Sequence, residues 1–470
     1  MNALHIIKSL KTFLRDDQIL FLPSQMEDFS SDGTKLKFYP DIVVFPSNAI
    51  DVSNVLSFAN NLRIPVVPRG AGTGMSGGAL PVKGGILLAM DKMNKIINID
   101  KDNMICRVEP GVITGDLQNE VKKMGLFYPP YPASANISTI GGNVAECAGG
   151  LRAVKYGVTR DYVLGLTLVL PTGEILNTGT NTVKGVVGYD LTRLIVGSEG
   201  TLAVITEIIL RLIPEPESRK SLVVFFERIE DAISVVINIG QAKIIPSILE
   251  FLDDICLDCI KEDLYIPPST NSMLIIELDG PKVLVNEEVI KVQHICYAQN
   301  GVNVYIPKDL NEETKIWDVR NNLSHSLYKL RPNKISEDIV VPRSNIPTMI
   351  AYLRLLSEEY NLPIPVFGHA GDGNLHVNIM LDKNIKEEVK KIGELIPKIF
   401  SKVVELGGTI SGEHGIGITK ASYIDIEISD VGINIMKRIK QVFDPNNILN
   451  PDKIFCRGDF YDRIVGGQER

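Results

Sequence analysis

The sequence predicts an α+β protein of two successive bodies and a distinct C-terminal stretch, on the following observations. Short strands and amphipathic helices alternate as far as Pro214. Pro214 and Pro216 then break the pattern, because the residue before each proline is driven out of helical backbone. From Ser218, strand–helix–strand units with acidic helices run to about residue 405 in the style of a two-layer sandwich. The last stretch is again rich in Gly, Asn and Pro. These breaks place an N-terminal helical segment at 1–37 and the first body at 38–217. The second body follows at 218–405 and the tail at 406–470.

The elements follow in order. MNALHIIKSLKTFLRDD reads as an amphipathic helix with Leu4, Ile7, Leu10 and Leu14 on one face. PDIVVFP (40–46) is a short buried strand. NAIDVSNVLSFANNLR has helical periodicity, with Ile50, Val52, Val55, Leu56 and Ala59 as its buried stripe. Asp51 or Ser53 is expected to cap its start. IPVVP is the next strand, followed by the glycine-dense loop RGAGTGMSGGALPVKGG. GILLAM, MICRVEP, LTLVLP and TLAVITEIILRLIP are further strands, punctuated by glycines. In the second body SLVVFFE is a strand and EDAISVVINIGQA a helix; PSILEFLDD and the strand SMLIIELDG come after them.

Composition removes several function classes. The 470 residues carry 49 basic and 57 acidic side chains, a net −8, which argues against a nucleic-acid-binding surface. Gly, Pro or a charge interrupts every apolar run before the ~20 residues a membrane helix needs. The opening residues lack the basic tip, apolar block and cleavage site of a secretory signal. Six cysteines in this length form no disulfide framework, so a reducing, cytoplasmic compartment is expected, with at most peripheral contact at the inner face of a membrane.

Gly72, Gly74 and Gly77 satisfy G-x-G-x-x-G directly after a strand, and Asp91 lies 19 residues beyond Gly72. The dinucleotide motif of that form requires a helix whose N-terminus holds the pyrophosphate. Only Ala79 to Gly85, with Pro81, Gly84 and Gly85 among them, separates the glycines from GILLAM. That leaves no room for the helix. What remains is a loop of small residues after Arg69, whose successive N–H groups can form an anion-binding concavity without one.

Histidine is scarce: there are six, and none between residues 6 and 293. VFGHAGDGNLHVNIM reads as strand, glycine turn, strand, and a hairpin folding at Asp372-Gly373 would set His369 and His376 across from each other. ISGEHGIG then offers Glu413 and His414 in extended chain, where adjacent side chains point opposite ways. Two imidazoles and a carboxylate suit a divalent ion with one position left open. IWDVRNNLSHSLYKLRPNK adds Arg320 and Ser324 on one helix face, and Lys334, suited to holding a carboxylate. Cys256 and Cys259 form a lone C-x-x-C on a helical pattern and read as packing, as does Cys147.

Three motifs carry a resemblance: PVVPRGAGTGMSGGAL, STIGGNVAECAGGLRAVKYGVTRDYVLGL and GYDLTRLIVGSEGTLAVITEI. In this order they resemble the flavoprotein superfamily of vanillyl-alcohol oxidase and p-cresol methylhydroxylase. The resemblance implies a p-cresol methylhydroxylase-type FAD-binding domain, a ferredoxin-like α/β substrate domain, and a C-terminal segment returning to the flavin. It implies that residues 68–78, including Arg69, Gly70, Gly72, Thr73, Gly74, Ser76, Gly77 and Gly78, hold the pyrophosphate. Thr139, Gly142, Asn143 and Gly149 would line the flavin; Gly200, Thr201 and Ile205 would lie near its ribityl and adenine parts, with Asn450 a further contact. Many relatives attach FAD through histidine; none stands in this segment, so the flavin should be non-covalent.

GHAGDGNLH and SGEHGIG are similar to the metal-containing branch that oxidises 2-hydroxy acids, including glycolate oxidase, D-lactate dehydrogenase and D-2-hydroxyglutarate dehydrogenase. In that branch the residues matching His369, His376 and Glu413 bind zinc or manganese, and the one matching His414 accepts the proton. Arg320, Ser324, Lys334 and Asn378 match substrate contacts. The expected activity is oxidation of a small 2-hydroxy acid, glycolate or D-lactate, with the hydride going to flavin. No ferredoxin-like cysteine run exists in the sequence, so the electrons should pass to a separate acceptor: an iron–sulfur subunit, a quinone, a cytochrome or an electron-transfer flavoprotein. A homodimer or a hetero-oligomeric complex would fit. The rival readings are an ether-forming FAD transferase like alkylglycerone-phosphate synthase, a non-catalytic flavoprotein component of a multi-chain glycolate oxidase, and a metal hydrolase that leaves the flavin motifs unexplained.

Overall fold

The computed structural model describes residues 3–456, with side chains from residue 6 onward. Leu4 therefore lies outside the described side chains, whereas Ile7, Leu10 and Leu14 are buried, Leu14 beyond the end of the helix Ala3–Leu10. The chain forms two compact units. The first takes Met1–Ala148, Val158–Glu215 and the chain from Glu413; the second takes Gly149–Gly157 and Pro216–Gly412.

In the first unit, a four-stranded sheet runs in the order Ile19–Leu20, Ile42–Val44, Ile86–Ala89, Val66–Arg69, the last three parallel. The helix Ala49–Leu62 buries Val52, Val55, Leu56 and Ala59 against Ile42, Val44, Val66, Ile86 and Leu88. Ile50, expected in that stripe, is 59% exposed. At 100° per residue it stands on the far side of the helix. The cap is also displaced: Asn48 Oδ1 accepts from Ile50 N (2.9 Å) and Asp51 N (3.0 Å). Asp51 instead accepts from Ser47 N at 2.9 Å, so the helix begins earlier than its apolar period indicates.

The parallel neighbours Val66–Arg69 and Ile86–Ala89 are joined by coil alone; no helix follows the glycines. A five-stranded antiparallel sheet, ordered Ile96–Asp100, Ile105–Val108, Val204–Arg211, Val163–Val169, Ile175–Gly179, completes the unit's framework. The tail returns to the first sheet. Val66 N donates to Ile448 O at 2.8 Å and Asn450 N to Val66 O at 2.7 Å, so residues 448–450 lie beside the strand that launches the glycine loop.

The second unit is one seven-stranded antiparallel sheet, ordered Val302–Tyr305, Ser218–Phe226, Ser272–Gly280, Ile248–Asp253, Val366–His369, Asn374–Leu381, Asn333–Val340. Leu222, Val224, Phe226, Leu274 and Ile276 are buried on one face, where Ile229–Gln241 and Lys282–Ala298 pack. On the other, Val223, Phe225, Leu252, Met273, Ile275 and Phe367 pack on the helices Asp254–Ile260 and Leu310–Ser326. The two-layer expectation is thus corrected: a third layer exists. Runs such as SLVVFF are apolar at successive positions, and both of their faces must be covered.

Candidate active site

Side chains alternate along a strand, so residues two apart share a face. On the face that carries Leu252, Phe367 and Met380, the same strands also place Glu250, His369, His376 and Asn378, and the neighbouring strand adds Lys334, Ser336 and Asp338 through its pairings with Met380, Asn378 and His376. This face is apolar under the two helices and polar beyond them.

His369 and His376 come together there, though not directly across the hairpin. The register pairs Phe367 with His376 and His369 with Asn374, so the two histidines are diagonal neighbours. The reason is the turn: it spans residues 370–373, with Asp372 N and Gly373 N both donating to His369 O, rather than a two-residue Asp372-Gly373 loop. The rings are perpendicular with centroids 5.1 Å apart, and their Nε2 atoms face each other at 3.4 Å. Both residues are buried.

Two carboxylates that escaped notice in the sequence back these rings. His369 Nδ1 bonds Glu250 Oε1, and His376 Nδ1 lies 3.8 Å from Asp338 Oδ1. Glu250 is fully buried and also takes Arg320, whose Nε donates to Oε2 at 2.7 Å and whose Nη2 pairs with the same oxygen. Burial alone would raise the Glu250 pKa. Arg320 and His369 more than offset it and hold the carboxyl below its ordinary value. The Arg320 guanidinium lies 4.7 Å over the Phe367 ring. The usable hint was an acidic residue inside the apolar strand SILEFLDD, since a buried charge needs a partner.

These distances fit a metal. Two nitrogens bound at ~2.0–2.1 Å to a tetrahedral ion stand about 3.3–3.4 Å apart. A carboxylate on the far nitrogen is the usual support of a ligating imidazole. The other predicted substrate contacts share the face but are already engaged. Lys334 Nζ bonds Ser324 Oγ. Asn378, fully buried, accepts from Ser336 Oγ at 3.0 Å and donates to His376 O at 3.0 Å. Glu413 and His414 open the first unit's last segment, directly after Gly412, whose N–H donates to Asp338 Oδ2 at 2.9 Å.

In the first unit all of the predicted cofactor residues but Gly149 are found, around a glycine-rich loop that forms a cradle. Gly70 sits against Thr139, where a β-carbon would collide with Oγ1. Thr139 caps the helix Ile140–Glu146, accepting from Gly142 N at 3.2 Å, and Asn143 Nδ2 donates to Thr114 Oγ1 at 2.7 Å. Gly72 (φ +69°) rests on the Arg69 guanidinium, which donates to Asp28 O and Ser31 O and so braces the loop from behind. At Gly74 a β-carbon would meet nothing within 4 Å. Thr73 lies between these two glycines, and Ser76 Oγ is buried without a hydrogen-bond partner. Gly77 (φ +81°) packs on Ile418, and Gly78 on Glu146.

Asn450 ties the cradle together. Its Nδ2 donates to Gly78 O (2.9 Å) and Glu199 O (2.7 Å), while its buried Oδ1 is left unsatisfied. Gly200 (φ +64°) packs on Pro68, Thr201 Oγ1 donates to Ser198 O at 2.8 Å, and Ile205 is a buried strand residue. Gly149 falls in the second unit. Open space at a glycine, two orphaned buried oxygens and close backbone suit a phosphate-bearing cofactor. Burial, and then repulsion from Glu199 and Asp32, raises the Glu146 pKa well above its ordinary value. Cys147, Cys256 and Cys259 are free and buried, as packing residues are.

Comparison with known proteins matches residues 40–179 to the FAD binding domain family and residues 215–454 to the family of FAD linked oxidases, C-terminal domain. The chain is 44% identical to glycolate oxidase subunit GlcD of Bacillus subtilis over 93% of both chains. It is 38% identical to a D-lactate dehydrogenase of Anaerostipes hadrus, over 91% of this chain and 92% of that one. Among solved structures it resembles p-cresol methylhydroxylase with substrate bound, at TM-score 0.79 and 18% identity over 96% of each chain. It also resembles alkyldihydroxyacetonephosphate synthase, at 0.75 and 20% over 96% of this chain and 85% of that one. These two likenesses establish the fold alone. The cradle and the two matched domains identify the chain as a member of the FAD-linked oxidase family, a flavoprotein oxidoreductase with a p-cresol methylhydroxylase-type FAD-binding domain.

Proposed function

We propose that this chain oxidises a small 2-hydroxy acid, glycolate or D-lactate, to the 2-oxo acid, using non-covalent FAD and a divalent ion, zinc or manganese, held by His369, His376 and Glu413. The observation that carries the reading is the facing pair of Nε2 atoms at 3.4 Å, backed by Glu250 and Asp338 on the same face as Arg320. The names of the similar glycolate oxidase subunit and D-lactate dehydrogenase support the substrate class. Glu413 is the third ligand in this reading because it follows Gly412, anchored on Asp338 beside His376; consecutive Cα atoms are only ~3.8 Å apart.

When bound, FAD supplies a two-electron acceptor and the ion a Lewis acid that lowers the pKa of a coordinated hydroxyl. The chain's own residues do the rest. Arg320 offers its unclaimed Nη1 edge to the substrate carboxylate, and Lys334 adds a second cation on the same face. Ser324 positions Lys334, and Asn378, which donates to His376 O, braces the strand that carries His376. His414 accepts the hydroxyl proton, a task suited to an imidazole near neutral pH. The electrons leave to a separate acceptor.

The test is turnover of a panel of 2-hydroxy acids with a dye acceptor, before and after chelation, in wild type and His369→Ala. Chelation and His369→Ala should each abolish turnover and leave the flavin spectrum intact, because in this reading FAD and the ion are held by different residues. Acid should release all the flavin. Full activity in metal-free protein would sink the ligand assignment.

A further inference from the structure

With His369 a metal ligand, as proposed above, we infer that Glu250 is a positioning residue that presets two groups at once: the tautomer of His369 and the direction of Arg320. Its two oxygens divide the work. Oε1 takes His369 Nδ1, and Oε2 takes Nε and Nη2 of Arg320. An ionised carboxylate can only accept, so the proton on His369 sits on Nδ1 and the lone pair is left on Nε2. That lone pair faces His376 Nε2 at 3.4 Å. The opposite tautomer would place a proton there and block a cation.

The Arg320 side obeys the same logic. Two of its three nitrogens point at Glu250, and Phe367 lies beneath the guanidinium plane at 4.7 Å. Among the described residues none hydrogen-bonds Nη1, and that edge can turn toward an anion. Glu250 is fully buried in the strand Ile248–Asp253, which pairs with Val366–His369 so that Glu250 and His369 are direct cross-strand partners. The sheet register therefore sets the distance, and no flexible loop intervenes. Asp338 stands behind the second histidine: it lies 3.8 Å from His376 Nδ1 and accepts from Asn374 Nδ2 (2.6 Å) and Gly412 N (2.9 Å).

A glutamine is the informative replacement, because its one acceptor and one donor can serve His369 or Arg320 but not both. The experiment measures the Zn2+ dissociation constant of full-length, FAD-loaded protein by competition with a chromophoric chelator. Flavin absorbance and melting temperature serve as controls for folding. Glu250→Gln and Glu250→Ala should each weaken Zn2+ binding, the alanine by ~10–100-fold as for other residues that orient a ligating histidine, with flavin content unchanged. His369→Ala separates the two levels. If it abolishes Zn2+ binding while Glu250→Gln and Glu250→Ala both bind as wild type, the role given to Glu250 is wrong and the metal site stands. If His369→Ala itself binds Zn2+ normally, the metal site fails and this role with it. Should the alanine variant lose flavin or fold, the glutamine variant, nearly identical in shape, decides the matter alone.

Discussion

Asp253 shows how much one buried side chain can carry. Its two oxygens accept Cys256 N (2.9 Å), at the head of Asp254–Ile260, and Val366 N (2.8 Å), where the strand leading to His369 begins. Burial nonetheless pushes its pKa up to about 7. A folded-state value above the ~3.9 of an unfolded aspartate means the native state keeps a proton that the unfolded chain releases. The associated stability is therefore complete below about pH 4 and is lost as pH rises through 7. Its size is on the order of 4 kcal/mol. Hydrogen exchange in the second unit should show wild type weakening between pH 4 and 7.5. Asp253→Asn should flatten that slope and be about 1 kcal/mol weaker at pH 4.5 for one lost acceptor. Parallel profiles would mean that Asp253 does not titrate in this range. At this scale the sequence was legible where residue types are rare: His369 and His376 stood out among glycines. Glu250 and Asp338 did not. Period-two alternation says which residues share a face, but not where along the face apolar packing ends.

The glycine loop separates two uses of the same residue type. A β-carbon at Gly74 would enter open space, whereas at Gly77 it would meet Ile418 Cγ1 at 2.5 Å on a backbone of φ +81°. Gly74→Ala should therefore leave the apoprotein's melting unchanged and weaken FAD binding, read by titration of flavin fluorescence. Gly77→Ala should lower both, with a strain cost of about 1 kcal/mol or more. Equal melting losses in the two variants would mean that Gly74 serves the fold and not the ligand. The absence of a helix after this loop was readable by counting residues 79–85, because sterics and chain length are local. The partner of the strand Val66–Arg69 was not. Residues 448–450 reach it from the far end of the sequence, and pairing over such a separation leaves no period to detect. The cap of Ala49–Leu62 failed for a third reason, since three polar residues compete for that role within a few positions and only backbone geometry selects Asn48.

Over the whole molecule, the chain passes between the two units four times, after Ala148, Gly157, Glu215 and Gly412. Prolines flag the third passage. Nothing in composition flags the first two, because Gly149–Gly157 sits inside an unbroken flavin motif and yet packs in the second unit. Lys155 and Tyr156 hold it there. Lys155 Nζ donates to Asp279 O and Oδ1, both at 2.5 Å, and Tyr156 OH donates to Asp279 Oδ2 at 2.8 Å. The Asp279 side chain is fully buried. Removing its cation leaves a charge without its partner ion in a dry site, a change worth about 3–5 kcal/mol, while replacing both members by apolar residues is often close to neutral. Lys155→Met should therefore accelerate amide exchange in Ser272–Gly280, and Lys155→Met with Asp279→Leu should recover much of the protection. Exchange is the appropriate readout, since a two-unit chain does not unfold in one step. The two substitutions should be strongly non-additive, with a coupling above about 1.5 kcal/mol. Additivity to within about 0.5 kcal/mol would show that Lys155 and Asp279 act independently, and that some other contact fixes this segment of the flavin motif in the second unit.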